Sequence, residues 1–277
     1  MADQLETQPP ATPIYELSYP APHVLLVIIN REKALNSITL QGHWEGERLW
    51  HWFDDEPSLR VAVVTGKGKR AFCCGQDLKE QAEKNSDNTN PTMPSLPSGA
   101  FMGLSRRAGK KPVIAAVNGY ALGGGFEIAL NCDMVVASPT ATFGLPEVKR
   151  GLWAAAGGIP RVVRTFGMQL ASEIVLAGRE LSAQEAKEFG FARVSASQES
   201  VVSEAVELAK QVADMSPDAI IVSRAGLRET WETASVERSA QLVQDRYAKH
   251  LLTGDNLKIG LIAFITKSKP EWVPSKL

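Results

Sequence analysis

The chain reads as an α/β protein, and three observations support that class. Short aliphatic runs recur at intervals, among them "VLLVII" at 24–29, "VAVV" at 61–64 and "VIAAV" at 113–117, and helical stretches lie between them. Strands alternating with helices imply a mostly parallel sheet covered by helices, with ligand sites in loops at the strand ends. After about residue 198 the pattern turns helical to near the end of the 277-residue chain. Composition agrees: 44% hydrophobic and 22% charged residues can enclose one large core.

The elements follow in order. "MADQLETQPPATP" (1–13) is expected to be a flexible tail, with neither the basic nor the apolar region of a secretory signal. "IYELSY" and "HVLLVIIN" predict two strands joined by a proline-containing turn. "TLQGHWEGERLWHWF" predicts a helix capped by Thr39, with Gly42 and Gly46 on one face for close packing. "RVAVVTG", "KPVIAAVNG" and "DMVVAS" predict buried strands, and "ATFGLPE" a shorter one. Residues 80–99, rich in Pro, Asn and Ser, read as a mobile loop, either a lid or an insertion. "ESVVSEAVELAKQVADM" puts Val202, Ala205, Val206 and Ala209 on one helical stripe, Ser216 and Pro217 open another helix, and "ASVERSAQLVQDRYAKHLL" continues the pattern. The expected division is a core over 14–197 and a helical subdomain over 198–274.

Thirty Lys and Arg against 31 Asp and Glu give a net charge of -1, so nucleic acid is not expected as principal partner. The run at 24–29 is far short of the roughly 20 apolar residues of a membrane span. Cys73, Cys74 and Cys132 lack metal-ligand spacing and are expected to be reduced, without a metal site. Ser275, Lys276 and Leu277 match the tripeptide read by the peroxisomal import receptor, so the peroxisome is the expected location.

Chemistry concentrates in three segments. "NGYALGGGFE" (118–127) places three glycines where a helix is expected to begin, although each costs about 0.5–1 kcal/mol relative to alanine. With a strand ending near Asn118 and a helix starting near Gly123, bare N–H groups would point at an anion or developing oxyanion, and Glu127 would return to the same face one turn on. Glycines at a helix start also serve packing alone. Glu147, in a turn opened by Pro146 before the small-residue run 154–158, supplies a second carboxylate; two such groups suit the addition or removal of water. "KRAFCCGQDLKE" places Gly75 in a sharp turn, where the N–H of Gln76 could be the second donor of an oxyanion hole.

Together with "GMQLASEIVLAGRELSAQEAKEFGFARV", these segments resemble the enoyl-CoA hydratase/isomerase (crotonase) family, from about residue 14 to the C-terminus. The resemblance implies a spiral core of ββα repeats and a C-terminal helical subdomain that builds a homotrimer or a hexamer. It implies that the thioester oxygen lies between the backbone N–H groups of Gln76 and Gly124. Glu127 and Glu147 fall on the two catalytic glutamates, an arrangement that favours reversible hydration of a 2-enoyl-CoA. Coenzyme A then belongs to the acyl-CoA substrate, and no separate cofactor is expected. Arg31, Lys33, Ala34 and Cys74, with Phe264 and Lys267 reaching a neighbouring subunit's nucleotide, fall on CoA-binding positions.

The chain departs from the family where Pro-Gly usually follows the second glutamate: Ala154 and Ala155 stand there, preceded by Trp153. Ala155 keeps a backbone N–H to position water, while a methyl and an indole beside the acyl pocket imply an unusual acyl group. Gln76 replaces a commoner small residue. A Δ3,Δ2-enoyl-CoA isomerase and a noncatalytic CoA-binding protein are the alternatives. With the peroxisomal tripeptide, the altered pocket also resembles fungal hydratases of secondary metabolism that form anhydromevalonyl-CoA for hydroxamate siderophores, as well as β-oxidation enzymes.

Overall fold

The computed structural model describes residues 5–86 and 95–277. Two strands, β1 (Tyr15–Ala21) and β2 (Val24–Ile29), form an antiparallel hairpin, and α1 (Leu40–Asp55) follows with the Thr39 hydroxyl accepting the Gly42 N–H at 3.2 Å. Three rounds of strand, strand, helical segment come next. They are β3 (Val61–Gly66), β4 (Ala71–Cys73) and α2 (Leu78–Ser86); β5 (Val113–Val117), β6 (Tyr120–Leu122) and α3 (Gly124–Asn131); and β7 (Met134–Ala137), β8 (Thr142–Gly144) and a 3₁₀ turn over Pro146–Arg150 leading to α4 (Gly158–Leu176). Then come β9 (Glu180–Ser182), α5 (Ala183–Glu188) and β10 (Arg193–Val194). Four helices follow: α6 (Val201–Ala213), α7 (Pro217–Thr233), α8 (Val236–Thr253) and α9 (Asp255–Thr266).

In each round the first strand joins a six-stranded sheet, ordered β1-β2-β3-β5-β7-β10, and the second joins a four-stranded sheet, ordered β4-β6-β8-β9. The large sheet is parallel except for the β1–β2 hairpin, and the small one is parallel except for β8–β9. The chain thus advances as a ββα spiral. Asn118 secures one crossing between the sheets, its amide nitrogen donating to the carbonyls of Gly66 at 3.0 Å and Gly68 at 2.7 Å.

The second sheet separates the structure from the simplest strand reading. Between Asn118 and Gly123 the chain does not pass straight into a helix but adds β6. The expected loop over 80–99 begins as helix, since α2 runs to Ser86; the remainder up to residue 94 lies outside the described residues, as does the start of the N-terminal tail. Beyond position 198, α6 lies on the large sheet, with Val201, Ala205, Val206 and Ala209 packed against Val24, Val61, Ile114 and Val136. The outer helices dock through charge. Arg224 Nε donates to Asp133 at 2.9 Å and Arg228 to the Asn131 side chain at 2.8 Å, at the C-terminal end of α3.

All eight residues of α3 are buried, an unusual environment for a helix start bearing three glycines and a glutamate. Phe126 fixes it from behind, packing on Phe143 at 5.5 Å and Phe191 at 5.7 Å between ring centroids. The N-terminus of α3 is therefore held rigidly by the core while it opens onto a cavity.

Candidate active site

The cavity has a volume of about 360 Å³ and is enclosed by the β4–α2 turn, the start of α3, the 3₁₀ turn and the segment before α4. Gln76, Gly124, Glu127, Glu147, Trp153, Ala155 and Cys74 all line it, so residues up to 81 positions apart in sequence converge on one space.

Each glycine of the run has its own cause. Gly123 adopts φ 56 and ψ -127, a positive-φ conformation that strongly favours glycine. A Cβ at Gly124 would meet the Phe101 ring at 2.5 Å, and one at Gly125 would meet the Cys73 carbonyl at 2.0 Å. This turn, aided by a bond from Gly123 N to Gly144 O at 2.9 Å, leaves the Gly124 N–H at the positive end of α3 without an acceptor among the described residues.

The Gln76 N–H is freed differently. Ile38 N donates to Gly75 O and Asp77 N to Ile38 O, both at 2.9 Å, in a single parallel bridge. The pleat turns the intervening Gln76 N–H away from Ile38, and it too has no acceptor among the described residues. A Cβ on Gly75 would stand 3.4 Å from Gly124 N, so the turns carrying the two donors are in contact. This is the geometry of a two-donor anion site.

The carboxylates differ in their surroundings. Glu127 is 3% exposed, and its Oε1 accepts the Gly158 N–H at 2.8 Å. Burial, with the charge of Glu147 adding to it, pushes Glu127 up to about 7 against the opposing N–H groups of Gly158 and Ala156. Glu147 is also pushed up by burial, and its Oε2 is shielded from solvent with no hydrogen-bond partner. Two carboxylates on one cavity thus both resist ionisation, which suits groups that take up and return a proton. Trp153 is 55% exposed at the rim, and Ala154 is buried in the core just before Ala155 reaches the cavity.

The expected CoA residues separate into two groups. Arg31 bonds the Ser37 carbonyl at 2.6 Å and pairs with Asp77 at 2.8 Å, which braces the turn bearing Lys33 and Ala34. Leu35, the next residue, lines the cavity and accepts the Cys74 N–H at 3.1 Å, so this turn and Cys74 share one wall. Phe264 and Lys267 lie at the end of α9 and do not line the cavity; Phe264 is 85% exposed. The C-terminal tripeptide lies elsewhere on the surface, with the Ser275 hydroxyl donating to Asp218 and Lys276 pairing with Asp255 at 3.0 Å.

Several lining residues carried no motif. Phe101 and Leu96 come from the segment before β5, Arg150 from the end of the 3₁₀ turn and Leu152 from just after it. His43 on α1 is wholly buried and holds the Gln76 side chain at 2.7 Å. Only the small-residue run at 154–158 hinted at Gly158, whose N–H holds Glu127.

A cavity with two N–H donors lacking acceptors among the described residues and two carboxylates that resist ionisation suits addition of water to an activated carbonyl compound. The enoyl-CoA hydratase/isomerase family model matches residues 21–274. The chain belongs to that family. It is 47% identical over 263 residues to a mevalonyl-coenzyme A hydratase of Aspergillus fumigatus, spanning 94% of this chain and 95% of the relative. A mevalonyl-coenzyme A hydratase of Beauveria bassiana is 47% identical over 276 residues, spanning 98% of each chain. A carnitinyl-CoA dehydratase of Proteus mirabilis is 38% identical over 253 residues, or 90% of this chain and 94% of that one. The crystal structure of an enoyl-CoA hydratase from Mycobacterium tuberculosis superposes with a TM-score of 0.85 at 31% identity, covering 95% of this chain and 100% of that chain. The two-sheet spiral is the crotonase fold, and the protein is an enzyme of acyl-CoA chemistry.

Proposed function

We propose that the protein catalyses reversible addition of water across the C2–C3 double bond of a 2-enoyl-CoA, and that its cellular couple is anhydromevalonyl-CoA and mevalonyl-CoA. The observation that carries the reaction is the pairing of Glu127 and Glu147, both with raised pKa, in one cavity with the free N–H groups of Gln76 and Gly124. The thioester oxygen sits between those N–H groups. As the water oxygen bonds to C3, electron density moves through C2 onto that oxygen, and each donor contributes about 2.7–4 kcal/mol of stabilisation there. The carboxylate pair, carrying one proton, holds the water, accepts a proton from it and returns one to C2. Dehydration retraces the same steps.

The choice of acyl group rests on the mevalonyl-coenzyme A hydratases that are 47% identical to this chain, together with the altered segment Trp153 to Ala155. In the cell this couple would serve hydroxamate siderophore synthesis. Coenzyme A arrives as part of the substrate and no further cofactor is used. The outer face of α9, with Ile262, Phe264 and Ile265 exposed, supports assembly as a homotrimer or a dimer of trimers. Phe264 and Lys267 would then meet a neighbour's nucleotide. Ser275, Lys276 and Leu277 support peroxisomal import.

The test is a comparison of kcat/KM for hydration of 5-hydroxy-3-methylpent-2-enoyl-CoA and crotonyl-CoA. The branched, hydroxylated substrate is expected to be preferred. Equal or better use of crotonyl-CoA would overturn the acyl assignment, and no hydration of either would overturn the reaction.

A further inference from the structure

Gln76 carries a second donor that the reaction does not use. Its side-chain Nε2 is shielded from solvent and has no hydrogen-bond partner, although Gln76 lines the cavity. A buried donor left unpaired is destabilising, so its retention needs an explanation.

The orientation of that amide follows from its neighbours. The backbone N–H of Met102 donates to His43 Nδ1 at 3.0 Å, so that ring nitrogen carries no proton. Burial pushes the His43 imidazole below its ordinary range, which keeps the ring neutral with its proton on Nε2. His43 Nε2 therefore donates to Gln76 Oε1 at 2.7 Å, and Oε1 is used as the acceptor. The other end of the amide is necessarily NH₂. Phe101, a cavity residue, packs on His43 with 4.6 Å between ring centroids and keeps the imidazole in place.

We infer that Gln76 reads the acyl chain through its side chain, its NH₂ group donating to a hydroxyl oxygen at or near C5 while its backbone N–H holds the thioester oxygen. This rests on the acyl-CoA reading of the cavity and names the class of acyl group: a short chain carrying a distal hydroxyl. The register fits. In glutamine the side-chain nitrogen is five bonds from the backbone nitrogen, and a C5 hydroxyl oxygen is six bonds from the thioester oxygen that the backbone nitrogen holds, so a bent acyl chain spans the two donors. A plain alkyl chain leaves the amide unpaired, so the same residue selects against it.

The experiment measures binding separately from turnover. Dissociation constants are taken by calorimetry for two saturated thioesters, 5-hydroxy-3-methylpentanoyl-CoA and 3-methylpentanoyl-CoA, with the native protein and with Gln76→Met, near-isosteric but lacking the donor. The native protein is expected to prefer the hydroxylated thioester by roughly tenfold to a hundredfold. In Gln76→Met the preference is expected to fall to within about twofold. Equal affinities in the native protein would overturn the inference without need of any variant, and a full preference surviving in Gln76→Met would do so too. Discrimination in binding with no hydration of any 2-enoyl-CoA would uphold this inference and overturn the reaction, so the two failures are distinct.

Discussion

Replacing Glu127 with glutamine should make the protein more stable at pH 8 while removing its activity. Glu127 binds a proton more tightly in the folded protein, at about 7, than at its ordinary 4.5. The stability associated with its neutral form is complete below about pH 4.5 and is lost as pH rises to about 7. At about 1.36 kcal/mol per pH unit, that interval costs the native protein roughly 3 kcal/mol above neutrality. A glutamine is never charged and keeps Oε1 as acceptor for Gly158, but one end of its amide meets the N–H of Ala156 unfavourably, which offsets roughly 1 kcal/mol. The net gain is about 2 kcal/mol, or roughly 4–8 °C in melting temperature for a chain of this size. Melting curves at fixed protein concentration from pH 4.5 to 8.5 check this. Glu127→Gln is expected to be less stable than the native protein by roughly 1 kcal/mol at the acid end, to overtake it as pH rises, and to hold a constant advantage of about 2 kcal/mol above about pH 7. A variant destabilised at pH 8, or a gap that does not change with pH, would refute the reasoning.

Other consequences concern catalysis and the docking of the outer helices. Glu147→Gln should lower kcat for hydration by roughly 10² to 10⁴-fold in steady-state assays, since an amide cannot take up and return a proton in this range. Gly124→Ala should lower kcat by about 10²–10³-fold despite alanine's better helix propensity, because its methyl displaces the Phe101 ring and moves the N–H with it. Burial alone would raise Asp133, but Arg224 and Arg228 hold it below the usual carboxylate range, so its contribution is present above about pH 4 and lost as pH falls further. Asp133→Asn should therefore destabilise the protein by about 3–5 kcal/mol at pH 7, read by denaturant titration.

The longer strands were legible because each is an uninterrupted aliphatic run, and α1 because Thr39 is followed by residues of helical period. The small sheet was not visible in the same way. Its strands β4, β6, β8 and β9 are three residues each, too short to display any period; only β8, inside "ATFGLPE", was read as a strand, and only the family resemblance implied a ββα spiral. α6 has a strong apolar stripe, but a stripe does not say which surface covers it, and here it is the large sheet. In the site, the segments holding Gln76, the glycine run and Glu147 each carried local signals of turn and charge. Their convergence did not, because it depends on two crossings between sheets. Least legible was the Gln76 side chain, whose free NH₂ group follows from His43, 33 residues earlier, and from a backbone N–H of Met102. Three glycines in a row suggested exposed backbone; the structure divides them into one required by conformation and two by close approach.

The proposed reaction is addition of water by Glu127 and Glu147 to a 2-enoyl-CoA whose carbonyl oxygen lies between Gln76 and Gly124. Its most direct test follows loss of the conjugated thioester absorbance with purified protein and 5-hydroxy-3-methylpent-2-enoyl-CoA in ¹⁸O-labelled water, with the product identified by mass. The expected product is one water heavier and labelled at the C3 hydroxyl, with no detectable formation by the variant carrying both Glu127→Gln and Glu147→Gln. Product of unchanged mass with a shifted double bond, or the same labelled product formed at the native rate by the double variant, would contradict it.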